Sequence, residues 1–225
     1  ISAPFIMPER KKIKELILAS TSPRRKLLIG RLGLPLKFVS PNSFETPPLF
    51  GESAGRYVSR MAVIKATNAV GNIEDNQVVI GSDTSVELAG EILGKPQSAS
   101  HAREMLSSLR GITHTVITSV VVSDHNGELC SRTIRTLIHM RSYSDMEIDE
   151  YVTTGDPMDK AGGYAIQNKV FQPARRIEGC YTSAVGLPLC ALSDILSQKG
   201  VLEEGIHCGD QVDARLPQRN HQFLV

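Results

Sequence analysis

At 225 residues the chain suits one large domain or two small ones, and it is long enough to bury a sizeable core. Its formal net charge is +1, from 25 Lys and Arg against 24 Asp and Glu, so it makes no field that would hold nucleic acid or an anionic membrane broadly. No apolar run approaches the ~18 residues of a membrane span, and the opening ISAPFIMPERKKIKE lacks an apolar core of signal-peptide length.

KELILAS predicts a strand, TSP a turn and RRKLLIGRLG a helix. Ser22 suits the N-cap, Pro23 the first helical position and Gly33 the stop. PLKFVSP predicts a second strand, and ESAGRYVSRMAVIKATNAVGN a helix ending near Gly71. VVIGSDTSVEL and EIL flank an Ala-Gly turn and predict a hairpin. Residues 98–109 predict another helix, stopped by Gly111. THTVITSVVVSD and ELCSRTIRTLIHMR are long strands around the turn signal HNG, a hairpin that could project as a lobe. Ser144-Asp-Met-Glu147 is a capping box opening a helix to about Thr154, and YAIQ after it is strand-like. GLPLCALSDILSQKG closes the core as a helix, and the tail after Gly200, without a sustained period, is expected to be loosely ordered.

Interleaved strands, helices and hairpins give an α/β class with a mixed sheet rather than a purely parallel one. One domain over residues 13–200 is the simplest division, with 1–12 and 201–225 as terminal extensions. The four cysteines, Cys130, Cys180, Cys190 and Cys208, form no CxxC and no dense framework, so free thiols and a reducing compartment are expected. The six histidines are scattered without zinc spacing.

Four stretches resist a purely structural account. The strand-turn-helix LILASTSPRRKLL places Arg24 and Arg25 at the positive end of a helix. Each is electrostatically misplaced there by a few tenths to ~1 kcal/mol unless an anion docks; the alternative is two solvated arginines on a capped helix. Lys65 falls on the same helix face as Val58, Met61, Ala62, Ala66 and Ala69. It either snorkels to the edge or points its ammonium into a cleft. Asp83 follows a buried strand, with Lys95 beyond the hairpin turn and Glu45 in an earlier loop. Carboxylates at strand ends with cations nearby suit a metal-assisted phosphate reaction, Mg²⁺ or Mn²⁺ taking the hard oxygens; a bulge-capping Asp83 is the plainer reading. TGDPMDKAGGYAIQ, with Asp159 and Lys160, is a polar loop whose weight comes from its company.

Together these stretches resemble the Maf family of nucleoside triphosphate pyrophosphatases. LILASTSPRRKLL is similar to its phosphate-loop signature, and FETP, VVIGSDT, GEILGKP, GITHTVITSV, GDPMDKAGGYAIQ and EGCYTSAVGLPL resemble its later blocks, in the family's order. The resemblance implies a mixed sheet between helices, related to the inosine-triphosphate pyrophosphatases, with a cleft along the sheet. It also implies hydrolysis of a nucleoside triphosphate to monophosphate and pyrophosphate with a divalent cation. Carried over by motif, Ser20, Arg24 and Arg25 hold phosphates, and Lys65 and Lys95 neutralise their charge. Glu45 and Asp83 handle the metal and the attacking water, with Asp83 the proton acceptor.

Within the family the chain resembles the group acting on dTTP and UTP, matching it at Arg24, Thr84 and Gln167. Thr84 and Gln167 are then placed where the base is chosen. After Gln167 the family usually has a glycine-rich turn, whereas here NKVFQPARRIEG can reshape the lip of the base pocket. A free nucleotide is the expected partner, in the cytoplasm, with no nucleic acid and no membrane; a homodimer is left open. The competing function is a nucleotide-sensing module in cell-division control that has lost turnover, against which stand the intact Asp83, Glu45, Lys65 and Lys95.

Overall fold

A parallel start leads into an antiparallel continuation. The computed structural model describes residues 13, 15–41, 46–69, 71 and 73–202, and the backbone of 211–212. Strand β1 (Glu15–Ala19) runs through a short turn into α1 (Pro23–Gly30), where Ser22 Oγ accepts from the Arg25 N–H and Pro23 fills the first turn. β2 (Leu36–Val39) lies parallel to β1 on one side. The chain then crosses through α2 (Ala54–Asn68), capped by Ser53, to β3 (Gln77–Leu88), parallel to β1 on the other side.

From β3 the pairing becomes antiparallel. β4 (Glu91–Leu93) folds back on β3 through Ala89 and Gly90, whose φ values of 49° and 88° are the left-handed pair that a two-residue hairpin needs. After α3 (Ala99–Leu109), β5 (Thr113–Asp124) and β6 (Leu129–Met140) extend the sheet. The capping box of Ser144 and Glu147 opens α4 (Asp145–Thr153), with both of its hydrogen bonds made. β7 (Ala174–Glu178), α5 (Tyr181–Val185), α6 (Leu189–Gln198) and β8 (Gln211–Val212) complete the order. The sheet runs β2-β1-β3-β5-β6-β7-β8, with β4 on β3.

Strand alternation decides which face each residue serves. Leu16, Leu18, Val78, Ile80, Val120 and Val122 meet α1 and α6 through Leu28, Ile29, Leu192, Ile195 and Leu196. On the opposite face Ile17, Ala19, Val79 and Val121 meet Ala62 and Ala66 of α2. Each such fully buried Leu or Ile contributes ~1.5–3 kcal/mol. Gly81 continues this second face, where a Cβ would come 2.2 Å from the Ala62 carbonyl oxygen and 2.7 Å from the Ala66 nitrogen. Only glycine lets α2 lie this close on β3.

The expected class, a mixed sheet between helices, is what the structure has. Several particulars differ. Asp83 sits inside a continuous strand rather than after one. The β5–β6 hairpin is no lobe, because β5 is paired with β3 from Val78↔Asp124 to Glu87↔Thr115 while β6 covers its other edge. YAIQ is not a strand: it follows 3₁₀ turns at Asp156–Asp159 and Ala161–Gly163, and Gly162 and Gly163 within the second, at φ 70° and 72°, turn the chain. Gln211–Val212 adds an edge strand to β7 in a tail expected to be loose; residues 1–12 and the rest of 203–225 lie outside the described residues. Cys130 and Cys180 are free thiols, but Cys190 is disulfide-bonded, contrary to the expectation of free thiols. Among the described residues no helix is long and apolar enough to cross a membrane.

Candidate active site

The site follows from where two strands stop. β1 pairs with β3 only as far as Leu18↔Ile80, and β4 joins β3 at Val86↔Leu93. Between them residues 81–85 have no strand on that edge among the described residues, while β5 holds the other edge throughout. The parallel strands β2 and β3 flank β1 on opposite sides, so the carboxyl end of β1 is a topological switch point, where open α/β sheets take their ligands. A cleft of about 720 Å³ opens over this gap and reaches both faces of β3.

On the α2 face the cleft holds Lys65 and Asp83. Lys65 is only 6% exposed, and its Nζ donates to Asp83 Oδ1 at 2.6 Å. Of the two directions open to that lysine, the structure takes the inward one. The small residues Gly81, Ala62 and Ala66 make this possible by letting the helix approach the strand.

The β1–α1 turn forms the next wall. Ser20 is buried and its Oγ accepts the Ser22 N–H at 3.2 Å. Arg25 bends over to the other face of β3, donating from Nε to the Gly186 carbonyl at 2.8 Å and from Nη2 to Thr84 Oγ1 at 3.3 Å. Arg24 reaches Asp159 across the cleft at 3.4 Å. Lys160 is buried, with Nζ donating to Asp156 Oδ1 at 2.8 Å and to Asp159 Oδ1 at 2.5 Å. Burial pushes both aspartates up, but Lys160, with Tyr151 on Asp156 and Arg24 on Asp159, outweighs it and holds both below the usual carboxylate range.

The remaining wall is apolar: Val86, Ile92, Leu93, Val116, Tyr164 and Ile166. The Tyr164 hydroxyl lies 2.6 Å from His114 Nε2. Burial, with a smaller push from His139, lowers His114 to about 4, so the imidazole is neutral at physiological pH.

Of the residues singled out in the sequence, Ser20, Arg24, Arg25, Lys65, Asp83, Thr84, Lys95 and Gln167 all line this cleft. Glu45 lies outside the described residues. Sequence reasoning did not select Tyr57 or Tyr164 for the cleft. Tyr164 adjoined the polar DKAGG stretch already flagged, and that adjacency was the available signal.

A divalent cation can be tested against the donors present. Among the described residues no three His, Cys, Asp or Glu side chains gather into a ready-made cage. Asp83 and Asp159 are the carboxylates of the described lining. Mg²⁺ keeps several waters and binds through one or two carboxylates plus substrate phosphates. The donor set therefore fits an ion that arrives with a polyphosphate.

Basic side chains gathered about an open strand edge, with an apolar wall beside them, define a protein suited to an anionic ligand that also has an apolar part. Its relatives agree: the model of the Maf-like protein family matches residues 15–199, and the chain belongs to that family. It is 42% identical over 189 residues to the dTTP/UTP pyrophosphatase of Pelotomaculum thermopropionicum, covering 84% of this chain and 98% of that protein. To the dTTP/UTP pyrophosphatase of Dictyoglomus turgidum it is also 42% identical, over 191 residues, covering 83% of this chain and 97% of that protein. Among solved structures, the Staphylococcus aureus Ham1 protein aligns at 16% identity with a TM-score of 0.42, over 72% of this chain and 80% of that one. That likeness is too slight to add to the fold described above.

Proposed function

We propose that this chain is a nucleoside triphosphate pyrophosphatase acting on dTTP and UTP, as its family relatives are named, releasing the monophosphate and pyrophosphate. The observation that carries the reading is the gathering of Ser20, Arg24, Arg25, Lys65, Asp83 and Lys95 about one cleft beside an apolar wall. Ser20, Arg24 and Arg25 grip phosphate oxygens, and Lys95 adds positive charge. Lys65 orients the Asp83 carboxylate from 2.6 Å. Asp83 accepts the proton of a water that attacks the α-phosphorus; the new P–O bond forms as the bridge to the β-phosphate breaks, and pyrophosphate leaves. A divalent ion, Mg²⁺ or Mn²⁺, would be held by Asp83, with Glu45 the second carboxylate that the family resemblance implies, and would supply neutralisation of the phosphate charge.

The apolar wall takes the base, and the Gln167 amide offers a donor and an acceptor to the O4 and N3–H edge of uracil or thymine. The substrate is a free nucleotide of the cytoplasm, not nucleic acid. The test is pyrophosphate release from a panel of nucleoside triphosphates, with and without Mg²⁺, for the parent and Gln167→Ala. Metal-dependent turnover favouring dTTP and UTP is expected, with a larger loss of kcat/KM for UTP than for purines in the variant. Binding without turnover would instead identify a nucleotide sensor.

A further inference from the structure

Thr118 stands behind the cleft on β5, completely buried and directly across the ladder from Thr84. Its Oγ1 lies 2.8 Å from the Ser183 carbonyl oxygen and 3.0 Å from Thr84 Oγ1. A threonine has one hydroxyl proton, and a carbonyl oxygen can only accept. If Thr118 gives its proton to Ser183, Thr84 is the donor in the contact between the two hydroxyls. The Thr84 oxygen in turn accepts from Arg25 Nη2 at 3.3 Å. Every proton then points the same way, from guanidinium through two hydroxyls to a carbonyl, an arrangement in which each bond polarises the next.

A second restraint on Arg25 ends in the same place. Its Nε donates to the Gly186 carbonyl, and the Gly186 N–H donates to the Ser183 carbonyl at 2.9 Å. Ser82 Oγ, on β3, has one proton for two carbonyls, that of Ser119 at 2.9 Å and that of Gly186 at 3.1 Å, so it stands against the same turn. The α5 turn thus anchors both arms of the arginine. A long arginine loses rotamer freedom when it grips a ligand, and fixing it beforehand moves that loss from binding into folding.

We propose that Thr118 is a positioning residue for Arg25, acting through Thr84, so that Thr84 orients the guanidinium instead of reading the base. This deepens the reading of Arg25 as a ligand-gripping group and rests on it. The rival account is a satisfied core hydroxyl with no bearing on the ligand.

The test is a coupling measurement. Thr118→Val is nearly isosteric and removes only the hydroxyl. KM and kcat for UTP are measured for Thr118→Val, Thr118→Ser, Arg25→Ala and the Thr118→Val/Arg25→Ala double variant, alongside melting temperature. One lost orienting hydrogen bond predicts a KM raised roughly tenfold in Thr118→Val with little change in kcat. Serine, which keeps the hydroxyl, restores the parent KM. With Arg25 already absent, Thr118→Val adds nothing further. If Thr118→Val proves too unstable to assay, Thr84→Val breaks the middle link and must show the same dependence on Arg25. A lowered melting temperature at parent KM, or an equal KM increase without Arg25, overturns the proposal. An Arg25→Ala variant with parent KM overturns the reading of Arg25 itself.

Discussion

Two lysine–aspartate pairs lie along the β3–β5 ladder, one buried and one half-buried, and they are built for different work. Lys65 and Asp83 meet at 2.6 Å, and Lys199 and Asp124 at 2.9 Å, all four side chains being largely hidden from solvent. Asp124 lies opposite Val78 and caps the β5–β6 turn: Oδ1 accepts the N–H groups of Asn126 and Glu128 at 3.1 and 3.0 Å, and Oδ2 takes Lys199. Asp83 lies opposite Ser119 in mid-strand, and among the described residues its carboxylate is bonded by Lys65 alone. Distance and burial separate the two pairs only by degree; the number of other donors separates them in kind. A saturated carboxylate holds a turn, whereas one with capacity left, facing a cleft, can take a proton or a cation.

The sharpest way to break this contrast is at the aspartates. Asp83→Asn keeps the shape and an oxygen for Lys65 but removes the proton acceptor and the negative half of a buried pair, so a loss of roughly 10²–10⁴-fold in turnover is expected, far beyond what its modest loss of stability accounts for. Pyrophosphate release within tenfold of the parent would put Asp83 in the same class as Asp124. Lys65→Met comes next. A helix-face argument alone makes methionine harmless there, but the contact with Asp83 means that the variant strands a nearly buried carboxylate. A loss of ~1–3 kcal/mol in urea unfolding is expected, together with weaker nucleotide binding. Adding Asp83→Asn to Lys65→Met should recover much of that stability without recovering activity, which distinguishes a stranded charge from a packing defect.

Asp124→Asn has the smallest expected effect: about 1 kcal/mol of stability, with kcat/KM unchanged. Its pH dependence follows from opposed shifts. Burial pushes Asp124 up, yet Lys199 and the two backbone donors outweigh it and leave the group below its ordinary 3.8. A depressed carboxylate gives stability that is present above the unfolded value and lost as pH falls through the folded one. Burial would lower Lys199, but Asp124 raises it above 10.5, so its contribution persists below that value and is lost as pH rises through the folded one. The stability difference between parent and variant should be flat from about pH 5 to 9 and vanish in acid.

The parts of the molecule that were legible carried local signals. Ser22-Pro23, the Ser144–Glu147 box, Ala89-Gly90 and the HNG turn each announce a cap or a reversal within four residues, and each sits where it was expected. What stayed hidden depends on distant partners. YAIQ has an apolar run that suits a strand, but it is preceded by two glycines with positive φ, and Tyr164, Ala165 and Ile166 are buried against the α3–α4 side instead. β7 escaped because Arg175 and Arg176 are exposed and break the apolar alternation of ARRIE. The direction of Lys65 could not be read from its helix, since the same face position serves an edge or a cleft. Thr118 gave no signal at all: a threonine in a β-branched strand is ordinary until its partner across the ladder is known.

The open stretch of β3 also divides the cleft by timescale. Asp83 is carried in mid-strand, and its outer neighbour β5 is hydrogen-bonded to it without a break from Val78 to Glu87. Amides in such a ladder exchange with solvent only when the sheet itself opens, on the clock of global unfolding. The opposite wall, from Asp159 to Gln167, is made of short turns, and turns open far more often. Deuterium labelling should therefore find a cleft with a slow floor and a fast wall. Fitting to different ligands falls to the wall, and the floor keeps its geometry for as long as the protein stays folded.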